Sequence, residues 1–187
     1  NTVSSNKNGI HLFESSNNTF TSNTANSNSD HGSFLWSSSN NTFTNNTANS
    51  NTKCGIYMDS SSNNSVSCNW VQNNTVAGFY LINGSTDNIF ENNNIIANGG
   101  LPYHQFYNNQ SDDVNAANNW WGTDDQDSIN VSIYDWQDNP SKGNVTYLPL
   151  LAGHAPCAPI PEAATVLLLA VGLLMLAGYV RIGRRKT

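Results

Sequence analysis

The sequence has few charged residues, and this scarcity limits what the protein can bind. Charged side chains make up only 11% of the 187 residues, so most of the polarity comes from amides and hydroxyls. Arginine is absent before position 181, and residues 1–162 hold three lysines against 13 acidic residues. Because phosphate contacts need Lys or Arg, this acidic part is not expected to bind nucleic acid.

Cysteine is also scarce. The chain has three, Cys54, Cys68 and Cys157, and none of them forms a CxxC pair. An odd count gives no disulfide framework, and the spacing is typical of neither a zinc site nor a redox motif. The sequence therefore predicts buried structural thiols, and it predicts no cofactor.

The polar composition does not indicate disorder. Asparagine supplies 33 residues, but Phe, Tyr and Trp together make up 10%, whereas disordered segments are poor in aromatics. These residues follow a repeat of 23 residues, in which SSNNTF at 15–20 recurs at 38–43, as SSNNSV at 61–66 and as STDNIF at 85–90. Glycine recurs with the same spacing, at Gly9, Gly32, Gly55 and Gly78. This column is expected to continue at Gly100.

Aligning the repeats places apolar residues two apart in short segments, as expected for half-buried strands. Three such columns are Leu12, Leu35, Met58 and Leu81; Phe20, Phe43, Val66 and Phe90; and Ala25, Ala48, Val71 and Ile95. A unit of this size cannot bury its own apolar face, but stacked units can. The expected fold is therefore an all-β solenoid, a parallel β-helix with rungs of about 23 residues.

Asparagine has its own columns, one of them Asn18, Asn41, Asn64 and Asn88 and the other Asn23, Asn46, Asn69 and Asn93. Asparagine tolerates left-handed turns, and stacked amides can hydrogen-bond from rung to rung. These columns are predicted to be the corners of the solenoid.

With its NxTxxN spacing and G-I-x-L-x-x-S-S-N-N segment, the repeat resembles the NosD-like right-handed β-helix, a carbohydrate-binding and sugar-hydrolase repeat type. The resemblance covers residues 1–122 and implies a fold more than a function, since one solenoid hosts many activities. Because the first rung is short and lacks a polar cap, further rungs are expected before Asn1.

Residues 123–152 are expected to form a C-terminal cap. Thr123 followed by acids is typical of a helix start, and Ile129, Ile133 and Trp136 would lie on one helical face that Pro140 ends. Residues 145–150 then predict a last strand, and Trp120 and Trp121 are predicted to seal the core. The NNWWG…IYDW block resembles the closing segment of the same β-helix family.

The C-terminal residues predict an anchor. A Pro-rich linker at 153–162 precedes 18 uncharged residues, 163–180, which are long enough for a transmembrane helix. The basic tail at 181–187 places the C-terminus in the cytoplasm and the β-helix outside the cell. Pro161-Glu162 with this span and tail resembles the PEF-CTERM and PEP-CTERM sorting signals, which implies an archaeal surface protein and a sorting transpeptidase as a partner.

Nine Asn-x-Ser/Thr sequons would fit a glycosylated surface, although an Asn-rich chain forms some by chance. Their asparagines are Asn17, Asn40, Asn45, Asn63, Asn73, Asn83, Asn109, Asn130 and Asn144.

Catalysis and metal binding are not expected. Glycoside hydrolysis needs two carboxylates facing one bond, yet no two acids share a column, although Asp30 and Asp59 could approach from neighbouring rungs. His31 and Cys54 share a column, but a soft-metal site needs more ligands than two.

Binding is favoured by an aromatic stripe. Phe34, Tyr57 and Tyr80, with His11, lie between two inward columns and so point outward, where they offer a surface for stacking sugars or another protein. Alternatively, the rings stiffen the sheet or are covered by a loop at 102–109. A cleft, if present, would be built by His31, Cys54 and Asp59 or by the 101–113 loop.

Three functions remain open at this point. The first is a structural or adhesion module of the cell surface, the second a carbohydrate-binding module, and the third a fragment of a polysaccharide-degrading enzyme.

Overall fold

A computed structural model describes residues 1–100 and 104–161, which form a parallel β-helix closed by a small cap. Successive rungs add one strand to each of three parallel sheets. The five-stranded sheet contains β1 (Thr2–Ser4), β4 (Thr24–Asn26), β7 (Thr47–Asn49), β10 (Trp70–Gln72) and β13 (Asn94–Ile96). The six-stranded sheet contains β2 (Ile10–Phe13), β5 (Ser33–Trp36), β8 (Cys54–Asp59), β11 (Ala77–Ile82), β14 (His104–Asn109) and β16 (Ile133–Tyr134). The four-stranded sheet contains β3 (Thr19–Thr21), β6 (Thr42–Thr44), β9 (Ser65–Ser67) and β12 (Ile89–Glu91).

The register confirms the predicted columns. Phe20 pairs with Phe43, which pairs with Val66, and Leu35 pairs with both Leu12 and Met58. These inward side chains form one buried apolar core, against which the partly buried Phe20 packs. The repeat in the sequence therefore stacks on itself, as the 23-residue period predicts.

The glycine column is confirmed for four rungs, and its continuation at Gly100 is wrong. A Cβ on Gly32 would lie 2.7 Å from the Gly55 carbonyl oxygen, so the rungs pack too closely there for a side chain. After Gly78 the position is taken by Gln105, because β14 pairs with β11 through Phe106 and Phe79. Extra residues inserted after Ile96 shift the sequence relative to the period.

Stacked amides form the corners, as predicted. The side-chain oxygen of Asn69 accepts hydrogen bonds from the backbone and side-chain nitrogens of Asn46, and its Nδ2 donates to Asn93 Oδ1 at 3.0 Å and to the Phe43 carbonyl at 2.9 Å. A third asparagine ladder, which the sequence analysis missed, has the same pattern: Asn28, Asn51, Asn74 and Asn98.

The conformational reason given for these asparagines needs correction. The left-handed residue at each corner comes immediately before the ladder asparagine, for example Asn40 (φ 57°) before Asn41 and Cys68 (φ 56°) before Asn69. The ladder asparagines are therefore selected by their amide hydrogen bonds, and the residue before them makes the turn.

The cap differs from its prediction. The helix α1 spans only Gln126–Asn130, and Asp125, not Thr123, caps it by accepting a hydrogen bond from Ser128 N. Ile133 belongs to β16, where it pairs with Phe106, and Trp136 is half exposed. Pairing with the sheet edge overrides the local helical pattern. The last predicted strand is present only as β17 (Val145–Thr146), which pairs with β15 (Val114–Asn115). Trp121 is fully buried in the core, as predicted.

The prediction of three unpaired thiols is also wrong. Cys68 and Cys157 form a disulfide, although 89 positions separate them, and Cys54 remains a buried free thiol. The segment before Cys157 folds back over the five-stranded sheet, where the ring of His154 lies 5.0 Å from that of Trp70 and Ala155 N donates to Asn94 Oδ1 at 2.8 Å. The fold-back brings the two cysteines together, which a cysteine count cannot show.

The predicted transmembrane span at 163–180, the basic tail at 181–187 and Glu162 of the sorting motif lie outside the described residues. Within residues 1–100 and 104–161, no helix is long and apolar enough to cross a bilayer.

Candidate functional site

The outer face of the six-stranded sheet carries a ladder of rings. Alternation along each strand turns an aromatic side chain outward at the same column of every rung, and neighbouring rings lie 4.1–5.3 Å apart between centroids. The ladder consists of His11, Phe34, Tyr57, Tyr80, Tyr107 and Tyr134. It is longer by two tyrosines than the stripe predicted from the sequence, because β14 and β16 continue the sheet.

Most rings of this ladder lie face to face. Tyr80 and Tyr107 are inclined by only 3°, and Tyr107 and Tyr134 by 11°. A ring stacked on both sides shows its edge to solvent and keeps its faces covered. The regular part of the ladder therefore offers little free ring face to a ligand.

The stacking breaks at one step, between Phe34 and Tyr57. These two rings are inclined by 75°, and His31 packs against both, with its ring centroid 4.7 Å from that of Tyr57 and 5.6 Å from that of Phe34. His31 comes from the corner that leads into β5, so its ring enters the ladder from the side.

A groove of about 650 Å³ opens at this break. It crosses four successive rungs and contains Phe34, Tyr57 and Tyr80, so the structure brings the three predicted sugar-binding residues together. The other residues that line it are Lys7, Asn8, His11, Asp30, His31, Trp36, Lys53, Cys54, Asp59 and Val76. His31, Cys54 and Asp59, named from the sequence as possible builders of a cleft, are among them.

One end of the groove carries an ion-pair chain. Lys7, Asp30 and Lys53 occupy one column on three rungs, as the hydrogen bonds Asp30 N to Lys7 O and Lys53 N to Asp30 O show. Lys53 Nζ lies 2.9 Å from Asp30 Oδ1, and Lys7 Nζ lies 4.0 Å from Asp30 Oδ2. The hydrogen bond from Lys53 lowers the pKa of the Asp30 carboxyl, so this end presents one carboxylate between two ammonium groups.

The other end carries the most open aromatic surface. Trp36 is 46% exposed and meets the half-exposed Phe13 edge to face, with centroids 5.1 Å apart and planes at 88°. Asp59 follows Trp36 in the same column, and its Oδ1 accepts hydrogen bonds from Ser60 Oγ and Asn83 Nδ2. This end combines an exposed indole ring with a carboxylate and an amide.

Burial keeps the ionisable groups on the floor of the groove neutral. Burial lowers the pKa of His31 to about 4 and raises the pKa of the Cys54 thiol to about 12. Burial also raises the pKa of Tyr57 to about 12. His31 Nδ1 is buried without a hydrogen-bond partner.

Two chemical possibilities can be compared with this geometry. Asp30 and Asp59 line opposite ends of the groove. Asp30 is level with Lys53, the residue before the strand Cys54–Asp59, and Asp59 is the last residue of that strand, which spans roughly 16 Å at 3.3 Å per residue. Carboxylate pairs of glycosidases are about 5–10 Å apart, so these two are poorly placed for that reaction. In the described part of the chain, no group of three or more His, Cys, Asp or Glu side chains is placed to hold a metal ion.

Trp36 and the lysine column were not predicted from the sequence as parts of the site. Trp36 lies two residues after Phe34 on the same strand, so alternation alone could have placed it on the same face. The 75° break and the entry of His31 depend on packing between rungs, and no sequence pattern marks them. The loop proposed at 102–109 as a cover is instead β14 from His104 onward, a further strand of the same sheet.

Comparisons with known proteins give one family. No curated protein matches the chain, and no solved structure matches it. A family model described as the right handed beta helix region matches residues 1–121, which include all strands of the ladder except β16. The chain thus belongs to the right-handed β-helix family.

Proposed function

We propose that this β-helix is a non-catalytic recognition module of the cell surface, which uses the groove between Lys7 and Trp36 to bind polysaccharide. The observation that carries the proposal is the interruption of the aromatic ladder, because it coincides with the groove. Membrane attachment through residues 163–180, with a sorting transpeptidase as partner, belongs to the same proposal.

The chemistry of the groove supports a sugar ligand. Sugars combine an apolar ring face with hydroxyl groups at the edge, and the exposed Trp36 ring lies close to Asp59, which is hydrogen-bonded to Asn83. Aromatic contacts of this kind contribute on the order of 1 kcal/mol each. The groove is open and shallow, so we expect weak affinity that a long chain gains by contacting several rungs.

The disulfide supports an extracytoplasmic location. Structural disulfides persist in oxidising compartments and are rare in the cytosol. The Cys68–Cys157 bond joins the segment that leads to residues 163–180 to the middle of the β-helix. An anchor there would leave the outer face of the six-stranded sheet free to meet an extracellular chain.

The test uses Trp36→Ala and Tyr107→Ala as a matched pair. Both remove an outward aromatic from the same sheet, but only Trp36 lines the groove. Migration of each variant would be measured by affinity electrophoresis in gels that contain a neutral β-glucan or a polyuronate. We expect Trp36→Ala to weaken retardation about five-fold, which corresponds to about 1 kcal/mol, while Tyr107→Ala binds like the wild type.

A structural role for the whole ladder is the second candidate, and the covered faces of Tyr80 and Tyr107 favour it. Under that alternative, neither polysaccharide retards the wild-type protein, and both variants migrate as the wild type does. Absence of retardation by both polysaccharides, or equal loss of it in the two variants, would contradict the groove proposal.

A further inference from the structure

The nine sequon asparagines fall into two groups that the sequence does not distinguish. In the first group the residue is exposed and its side-chain amide makes no hydrogen bond to any residue that the structure describes, and this group consists of Asn17, Asn40, Asn63 and Asn73. In the second group the amide is tied into the fold, and this group consists of Asn45, Asn83, Asn109, Asn130 and Asn144.

The free group shares one backbone geometry. Each of its asparagines occupies a left-handed corner position, with φ between 55° and 62°. Its backbone nitrogen is fixed by a hydrogen bond to the next rung, for example from Asn40 N to Ser62 O at 3.1 Å. The backbone is therefore rigid, while the amide projects from the corner into solvent.

The hydroxyl groups of these sequons are also free. Within the described part of the chain, the side chains of Thr19, Thr42, Ser65 and Thr75 make no hydrogen bond. In the tied group, by contrast, Ser85 Oγ donates to the Ile82 carbonyl and Ser132 Oγ donates to the Ile129 carbonyl. At three of the five tied sequons the hydroxyl is therefore engaged as well as the amide, the third being that of Thr146, which accepts a hydrogen bond from Asn144 Nδ2. The side chains of Thr47 and Ser111 make no hydrogen bond within the described residues.

We propose that Asn17, Asn40, Asn63 and Asn73 are N-glycan acceptor sites on the folded protein, and that the five tied sequons are not. In the transfer, Asn Nδ2 forms a bond to the anomeric carbon of an oligosaccharide carried on a lipid phosphate. The bond from that carbon to the phosphate oxygen breaks, the lipid phosphate leaves with the electron pair, and the amide nitrogen loses one proton to a base of the transferase.

The arrangement would give the molecule a glycan-bearing edge. Asn17, Asn40 and Asn63 lie in one column, because the ladder asparagines that follow them, Asn18, Asn41 and Asn64, are stacked. Their spacing is roughly 4.8 Å per rung, so an attached glycan, which is bulky, would crowd its neighbours. Asn40, with a neighbour on each side, is expected to have the lowest occupancy of the three.

The experiment presents the folded, oxidised full chain to a membrane oligosaccharyltransferase that recognises Asn-x-Ser/Thr, with a lipid-linked oligosaccharide as donor. Short synthetic peptides, one for each sequon, serve as controls for the intrinsic quality of each acceptor. Glycopeptide mass spectrometry then gives the occupancy of each site. We expect the four free sites to react in the folded chain within about two-fold of their peptides, and the five tied sites to fall at least ten-fold below theirs.

A matched pair of variants checks the assignment by mass. Asn63→Gln should remove one glycan from the most heavily modified folded chain, whereas Asn130→Gln should leave that mass unchanged. Folded chains modified at the tied sites as fast as the peptides would overturn the proposal, as would four free sites that stay unmodified while their peptides react.

Discussion

The asparagine ladders and the aromatic ladder are both stacks of like side chains, but they leave different groups available. In the ladder through Asn69, each amide donates to the next amide and to a backbone carbonyl, and Asn69 itself is only 1% exposed. The aromatic ladder has no comparable set of hydrogen bonds, and its stacking is interrupted between Phe34 and Tyr57. The hydrogen-bonded asparagine ladders form the scaffold of the molecule, whereas the break in the aromatic ladder opens a groove at its surface.

The largest loss of stability is expected from a substitution that interrupts an asparagine ladder. Asn69→Ala would leave the Phe43 carbonyl and two nitrogens of Asn46 without their buried partner. Each orphaned group costs about 1–3 kcal/mol, so the free energy of unfolding should fall by about 3 kcal/mol or more, as measured by urea denaturation. The control is Asn63→Gly at an exposed corner, where glycine accepts the left-handed backbone; a loss as large as that of Asn69→Ala would show that the ladder adds nothing.

The next largest loss of stability is expected from removal of the disulfide, which joins the C-terminal segment to the rungs. Cys68→Ser should lower the free energy of unfolding by about 2–4 kcal/mol. Without the disulfide, the unfolded chain regains the conformational freedom that closure of an 89-residue loop removes. It should also expose residues 153–161 to proteolysis. The double variant Cys68→Ser/Cys157→Ser should match the single one, and a second loss of similar size in the double variant would argue that the two thiols act separately.

The asparagine ladder could be predicted from the sequence, whereas the disulfide could not. Columns such as Phe20, Phe43 and Val66 follow from the period, because stacking equal rungs leaves no freedom of register. The disulfide and strand β16 depend on contacts between distant segments, and there the local pattern predicted that the helix continues through Ile133, which instead lies in β16. In the groove, alternation predicted Phe34, Tyr57 and Tyr80, while the tilt of the rings and the position of His31 follow from packing alone.

A smaller effect on stability is expected from the titration of His31 at the break in the aromatic ladder, and it should appear as a dependence of stability on pH. The pKa of His31 is about 4 in the folded protein against 6.5 for the free side chain, so the unfolded state takes up a proton first as the pH falls. This contribution to stability is present above pH 6.5 and is lost between pH 6.5 and 4, and it amounts to at most about 3 kcal/mol. Melting temperatures of the wild type should fall more steeply over this interval than those of His31→Gln.

The control for this titration is His11→Gln, which changes the exposed histidine at the end of the same ladder and leaves the buried His31 in place. Parallel curves for His31→Gln and the wild type would mean that His31 is not the group responsible.

The smallest effect on stability is expected at the groove itself. Trp36 is 46% exposed, so Trp36→Ala should lower the free energy of unfolding by less than about 1 kcal/mol, a value typical of surface positions. Tyr107→Ala removes a ring stacked on both sides and should cost more, which urea denaturation of both variants would show. A larger loss for Trp36→Ala would place Trp36 in the scaffold and not in the binding surface.

The most direct test of the central claim compares two tryptophans of similar exposure in one spectrum. Trp36 lies in the groove, and Trp136, which is 50% exposed, lies in the cap. Indole N–H signals of ¹⁵N-labelled protein would be followed during titration with oligosaccharides cut from whichever of the two polysaccharides retards the protein. The groove account predicts that the Trp36 signal moves with increasing ligand while the Trp136 signal stays in place; equal movement of both, or movement of Trp136 alone, would contradict it.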